Sequence, residues 1–368
     1  MRRTHLLSFA LLIAVFVVIP YRIGAQQPQA PPDKMIDAAT RIAVIDTLLK
    51  ELNDGYVFPE TAKRMEADIR ARITAKEYDS ITSAQAFAKK LTDDLQTVSK
   101  DKHLRVRYSH TSIPMRTDRN EPTEAERDQA RWMNKRINYG FERVERLNGN
   151  IGYIDLRNFN DHEGGAETVA AAMAFLQNTE ALIFDLRQNG GGNPFMIALI
   201  SSYLFGDKPV HLNDMFWRKS GKTDEFWTKP ELAKVKFANK DIYVLTSNYT
   251  FSGAEEFSYN LKNLNRATII GETTGGGAHP GGVVRLHDHF GVFIPVGRAI
   301  NPISKTNWEG TGVEPDIKAP KDQALKIAYL MALNKSLANI KDEQMVNGVK
   351  GLIAQTQKEI EEMKNQKK

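Results

Sequence analysis

Three apolar stripes at helical spacing follow one another early in the chain. Ile42, Ile45, Leu49 and Leu52 recur at steps of three and four and stop before Gly55. Met65, Ile69 and Ile73 repeat every four residues behind Pro59, a residue suited to a first helical turn. Ala84, Phe87, Ala88, Leu91, Leu95 and Val98 share one face, and Thr82 lies three residues before Gln85, the spacing of a capping box. The pattern predicts a small helical domain. Residues 103–108 alternate and read as a short strand. The polar stretch 111–136 reads as a loop with one exposed helix near 121–133.

Beyond residue 150 the texture changes. Short apolar runs at 151–156, 181–186, 242–245 and 268–270 read as strands, with helical patterns at 166–176, 195–205 and 252–264 between them. Such alternation predicts right-handed βαβ crossovers and a largely parallel, helix-covered sheet, an α/β fold. Residues 283–296 read as a hairpin or a β-edge. A last amphipathic helix starts near Asp322, with Leu325, Ala328, Tyr329, Ala332 and Leu333 facing inward, and the polar stretch 341–368 reads as a solvated, frayed helix.

The N-terminus adds a location. Arg2 and Arg3 precede a 14-residue apolar run at 6–19, and Ile23-Gly24-Ala25 is a small-residue cleavage site, so residues 1–25 read as a secretory signal and 26–34 as a Pro/Gln tether. The run is shorter than the ~20 residues of a spanning helix. The expectation is an exported chain, periplasmic or secreted, with no stable membrane anchor once the signal is cleaved. Charge then changes meaning. The full 368 residues carry 50 Lys+Arg against 45 Asp+Glu, a net +5. Without residues 1–25 the balance is 47 against 45, too even for a nucleic-acid binder. With no cysteine, disulfides, thiolate metal sites, a Cys nucleophile and a lipoprotein anchor are excluded.

The chemistry concentrates at two strand-to-helix turns. Ser252, in Thr250-Phe251-Ser252-Gly253-Ala254-Glu255, sits where a helix begins after a strand, the place where α/β sheets build sites. Ser252-x-x-Glu255 is equally a helix capping box. Asp185-Leu186-Arg187-Gln188-Asn189-Gly190-Gly191-Gly192 forms the second turn, where glycines let backbone amides approach a ligand and form an anion nest. A nest beside a serine is a layout for acyl transfer, and that serine needs a base. His103 and His279 both qualify, and composition does not choose between them. His287 and His289 form an HxH pair without a third metal ligand, and GxGxxG, GxSxG and HExxH are absent, so no metal and no cofactor is expected.

In register, Asp101-Lys102-His103-Leu104-Arg105-Val106, Ile151-Gly152-Tyr153-Ile154, Asp185-Leu186-Arg187-x-Asn189-x-Gly191-Gly192, Ser252-Gly253-Ala254-Glu255, Gly271-Glu272-Thr273-Thr274-Gly275-Gly276 and Trp308-Glu309-Gly310-Thr311-Gly312-Val313-Glu314-Pro315-Asp316 resemble the S41 serine peptidases, the C-terminal processing proteases. The nearer likeness is to the branch of the tricorn core and the interphotoreceptor retinoid-binding protein. The resemblance implies a ClpP/crotonase-like ββα core with a small N-terminal helical domain. It implies Ser252 as nucleophile, His103 as base, Glu309 as its orienting residue, and Gly253 with Gly191 or Gly192 as the oxyanion hole. Substrates would be peptides or unfolded proteins. The retinoid-binding relatives suggest an alternative, a non-catalytic binder of apolar ligands.

Two departures accompany the resemblance. Residues 110–141 are too few for a PDZ domain, and Lys102 stands where the tricorn core has a serine. The expected organisation is a helical domain at 35–108 ending in the strand with His103, a polar linker at 109–140, a catalytic core at 141–320, and a C-terminal helix with a polar tail at 321–368.

Overall fold

A computed structural model describes residues 32–114 and 123–366. The expected signal and residues 26–31 of the tether lie outside the described residues. Among the described residues no helix is long and apolar enough to cross a membrane.

The first three stripes form α1 (Ala38–Gly55), α2 (Pro59–Thr74) and α3 (Ala84–Ser99), followed by β1 (Arg105–Tyr108). The cap of α3 is Ser83, whose hydroxyl accepts the Ala86 N–H, and not the expected Thr82. Helix α4 (Glu124–Arg136) carries a full capping box between Thr123 and Glu126. Next come β2 (Phe141–Leu147), β3 (Ile151–Leu156), α5 (His162–Leu176), β4 (Ala181–Asp185) and α6 (Pro194–Ser202). The chain continues through β5 (His211–Trp217), β6 (Lys222–Trp227), β7 (Asp241–Thr246), α7 (Gly253–Asn263), β8 (Thr268–Gly271), β9 (Gly281–His287), β10 (Phe290–Pro295), β11 (Gly297–Ile300) and β12 (Ile317–Lys318). It closes with α8 (Lys321–Leu337) and α9 (Glu343–Asn365).

The central sheet has the order β12-β8-β7-β4-β3-β2, parallel except for the antiparallel β2–β3 pair. Its strands alternate faces residue by residue. Ile154, Leu182, Phe184, Val244 and Ile269 pack with α5, α6 and α7. Ile151, Tyr153, Ile183, Tyr243, Leu245 and Ile270 pack with α8 and α9. The polar C-terminal stretch is therefore docked rather than solvated: α9 buries Val349 and Ile360, and Lys326 pairs with Glu359 across the two helices.

A second core joins α1–α3 to the three-stranded sheet β1-β10-β9, through Leu48, Leu52, Phe87, Leu91, Val106, Phe290 and Val292. A third sheet, β11-β5-β6, stands beside Trp308. The second core supplies a wall carrying His103, and the central sheet supplies the strand ends carrying the two turns.

Candidate active site

Ser252 ends the turn after β7 and starts α7. Its backbone lies at φ 53°, ψ −120°, a region that L-residues rarely occupy and that here forms a tight strand-to-helix elbow. Several hydrogen bonds hold it there. Thr250 Oγ1 donates to Leu186 O at 2.8 Å, Phe251 N–H donates to Asn189 O at 3.1 Å, and Ser252 N–H donates to Glu255 Oε2 at 2.8 Å. The elbow is thereby sewn to the glycine turn after β4.

That turn is rigid in its own right. Arg187 Nε donates to Asp185 Oδ1 at 2.8 Å and Tyr153 OH to Asp185 Oδ2 at 2.7 Å. Asn189 Nδ2 donates to Leu156 O at 2.9 Å. Gly191 and Gly192 take φ of +108° and +139°, and a Cβ on Gly192 would lie 2.0 Å from Phe159 O. A Cβ on Gly191 would lie 2.8 Å from Ser252 Cβ, so the two turns touch. Gly191 N–H donates to Asn189 Oδ1 at 2.8 Å. The N–H groups of Gly192 and Gly253 donate to nothing among the described residues, and they flank Ser252.

Ser252, Gly192 and Gly253 line a cavity of about 890 Å³ together with His103, Lys102, Arg105 and Arg107. Only a tenth of the His103 side chain is exposed, and its ring packs on Phe251 and Phe293, with centroids at 4.5 and 5.6 Å. Burial pulls its pKa down to about 4, against the pull of Asp101, while His279 and Arg105 add to the lowering. Its Nδ1 makes no hydrogen bond and stands 4.0 Å from Asp101 Oδ1.

His279 occupies a different place. It is buried behind the cavity wall, edge-on to Phe58, with Nδ1 2.7 Å from Asp101 Oδ2 and 3.4 Å from Glu309 Oε2. Glu309 Oε2 also accepts the Ala278 N–H at 2.5 Å, and its Oε1 has no partner. Burial raises Glu309 to about 7, helped by Asp101 and opposed by His279. Asp101, His103 and Glu309 present ligand-type atoms within 4.8 Å of one another.

The structure thus brings Ser252, His103, Gly192 and Gly253 to one cavity, with Glu309 outside its lining but within 4.8 Å of His103 and Asp101, and His279 held on Asp101 and Glu309. Sequence reasoning gave Asp101 no role, although it is the hub. It also accepts Tyr56 OH at 3.2 Å and the His103 N–H at 3.0 Å. The signal was its place two residues before His103. The sequence pattern makes Glu255 a helix cap, and the structure shows it fully buried and also accepting Thr274 Oγ1, Gly276 N–H and Gly277 N–H, at 2.5, 2.6 and 2.9 Å.

Two family models match the chain. The one described as Peptidase family S41 takes residues 150–319, and the one described as the N-terminal domain of Peptidase_S41 in eukaryotic IRBP takes residues 37–142. The chain belongs to peptidase family S41. The two matches divide this S41 chain between the wall carrying His103 and the strand ends carrying Ser252. Among curated S41 relatives, the carboxyl-terminal-processing peptidase 2, chloroplastic, of Arabidopsis thaliana is 31% identical over 172 residues, covering 46% of this chain and 32% of the relative. The tail-specific protease of Haemophilus influenzae is 29% identical over 153 residues, covering 41% of this chain and 20% of the relative. The chain spans a third or less of the length of these two relatives.

Two solved structures share the fold. A putative peptidase from Parabacteroides merdae superposes with a TM-score of 0.56 at 17% identity, covering 80% of this chain and 96% of that one. A lipoprotein from Streptococcus agalactiae superposes with a TM-score of 0.51 at 16% identity, covering 84% and 99%. The expected ββα core with an N-terminal helical portion is the fold found.

Proposed function

We propose that the chain is a serine peptidase acting on peptides or unfolded proteins outside the cytoplasm. The observation that carries this reading is Ser252 on a strained helix-start elbow, beside the free N–H groups of Gly192 and Gly253, in one cavity with a desolvated His103. In the proposed reaction Ser252 Oγ attacks the scissile carbonyl carbon while His103 takes its proton. Burial keeps that imidazole neutral at pH 7 and able to accept it. The tetrahedral oxyanion receives the Gly192 and Gly253 N–H groups. His103 then gives the proton to the leaving amine as the C–N bond breaks, and water repeats the sequence on the acyl-serine.

Asp101 stands 4.0 Å from His103 Nδ1 with Glu309 in the same cluster, and in the proposed reaction the two carboxylates stabilise the imidazolium while Nε2 serves Ser252. His279 is the holder of those carboxylates rather than the base. The test is hydrolysis of denatured casein by the wild type and by Ser252→Ala, together with labelling by a fluorophosphonate. Activity and labelling should both vanish in the variant, and a wild type that is neither active nor labelled overturns the proposal.

A further inference from the structure

One turn after Ser252 on α7, Glu256 lines the same cavity and is 3% exposed. Its Oε1 has no hydrogen-bond partner. Fully buried Asn213, on β5, has neither its Oδ1 nor its Nδ2 paired, and the Nδ2 of buried Asn260, one turn further along α7, is also unpaired. Of the three side chains only Glu256 lines the cavity, with the two buried amides as its neighbours behind it, so a cavity ligand meets the carboxyl group and not the amides. Met215, Trp217 and Trp308 give the cavity apolar walls. The proposed mechanism uses none of these residues.

We infer that this part of the cavity is the subsite for the substrate side chain beside the scissile bond, and that Glu256 selects lysine or arginine there. The apolar walls match a long aliphatic stem. A cationic end group would pair the free carboxylate oxygen. The inference rests on the peptidase reading above.

No charged side chain opposes that pairing from the elements packed on α7. On β5, His211 and Asp214 pair with each other. Helix α6 and strand β8 carry no charge. On α7 itself, Glu255 is turned to residues 274–277 and Lys262 to Glu314 and Asp316. Lys102, His103, Arg105 and Arg107 also line the cavity. In the empty site burial pushes Glu256 up to about 8, with Asn213 and Asn260 pulling against it, so the carboxyl is protonated at neutral pH. A bound cation must displace that proton, so basic side chains gain affinity as pH rises toward 8.

The test is binding of fluorescent hexapeptides, identical except for Lys, Gln or Leu at the tested position, to Ser252→Ala between pH 6 and 8.5. This readout does not need hydrolysis, so it stands apart from failure of the peptidase reading. The Lys peptide should tighten about tenfold or more across that range while Leu stays level. Adding Glu256→Gln should remove the Lys preference and its pH dependence, with Leu binding kept. Equal Lys and Leu affinities at pH 8.5, or a Lys preference independent of pH in Ser252→Ala, overturns the inference. So does Gln binding as well as Lys. If Glu256→Gln fails to fold, the pH series on Ser252→Ala alone decides.

Discussion

His279 Nδ1 lies 2.7 Å from Asp101 Oδ2, joining residues 178 positions apart in the chain. The contact fixes the carboxylate that faces His103, so the proposed base depends on a histidine that never reaches the cavity. His103→Ala should lower kcat by ~10³-fold or more. His279→Ala should lower it less and chiefly by altering its pH dependence. Steady-state kinetics on both variants checks this, and the reverse ranking would make His279 the base.

The pH dependence should carry the mark of Glu309. A base with a pKa near 4 stays neutral across the neutral range, so its protonation does not limit activity there. Glu309 titrates near 7 and must be ionised to support the imidazolium. Activity (kcat/KM) should therefore rise with pH through about 7 in the wild type. In Glu309→Gln that limb should disappear, leaving a lower, flatter profile. A rise through 7 that survives the substitution would assign it to another group.

Glu255 should matter for both stability and rate. Its four donors leave no room for an amide, because one Gln Nε2 would face backbone N–H groups. Glu255→Gln should cost about 1–3 kcal/mol in unfolding and reduce turnover through a displaced Ser252. Denaturant melts with parallel kinetics measure the two effects.

Gly192→Ala should fail in a different way. Its methyl would collide with Phe159 O and its φ is hostile to alanine. A loss of about 2 kcal/mol or more, with the fluorophosphonate label suppressed, is expected.

Asp101, His103 and Glu309 have the spacing of a cation site, so metal removal is informative. The proposed mechanism predicts unchanged hydrolysis after dialysis against EDTA. Loss restored by a divalent ion would reassign the cluster.

Elements whose burial is one-sided or complete were legible from sequence. The stripes of α1–α3 and the runs of β3, β4 and β7 each write their environment into residue type. Strands β5 and β6 were not, because Asp214, Lys222, Asp224 and Glu225 break the alternation at exposed or half-buried positions. Strand β2 hid for the same reason, behind Glu142, Arg143 and Glu145. The glycines and Ser252 announced themselves through backbone demands. Glu256 could not, and Asp101 only through its place two residues before His103, since a carboxylate declares most of its role through partners brought from distant parts of the chain.

Glu255 grips the nucleophile's backbone with one carboxylate and the 274–277 wall with the same group. The floor and that side of the cleft are therefore one mechanical piece. The opposite wall, with β1 and His103, is tied to it by Lys102 Nζ to Gly275 O at 2.6 Å and by the run of the chain from residue 277 into β9, the far strand of the sheet that holds β1. The carboxylate that sets the Ser252 backbone therefore also sets the loop on which Lys102, the neighbour of His103, is anchored.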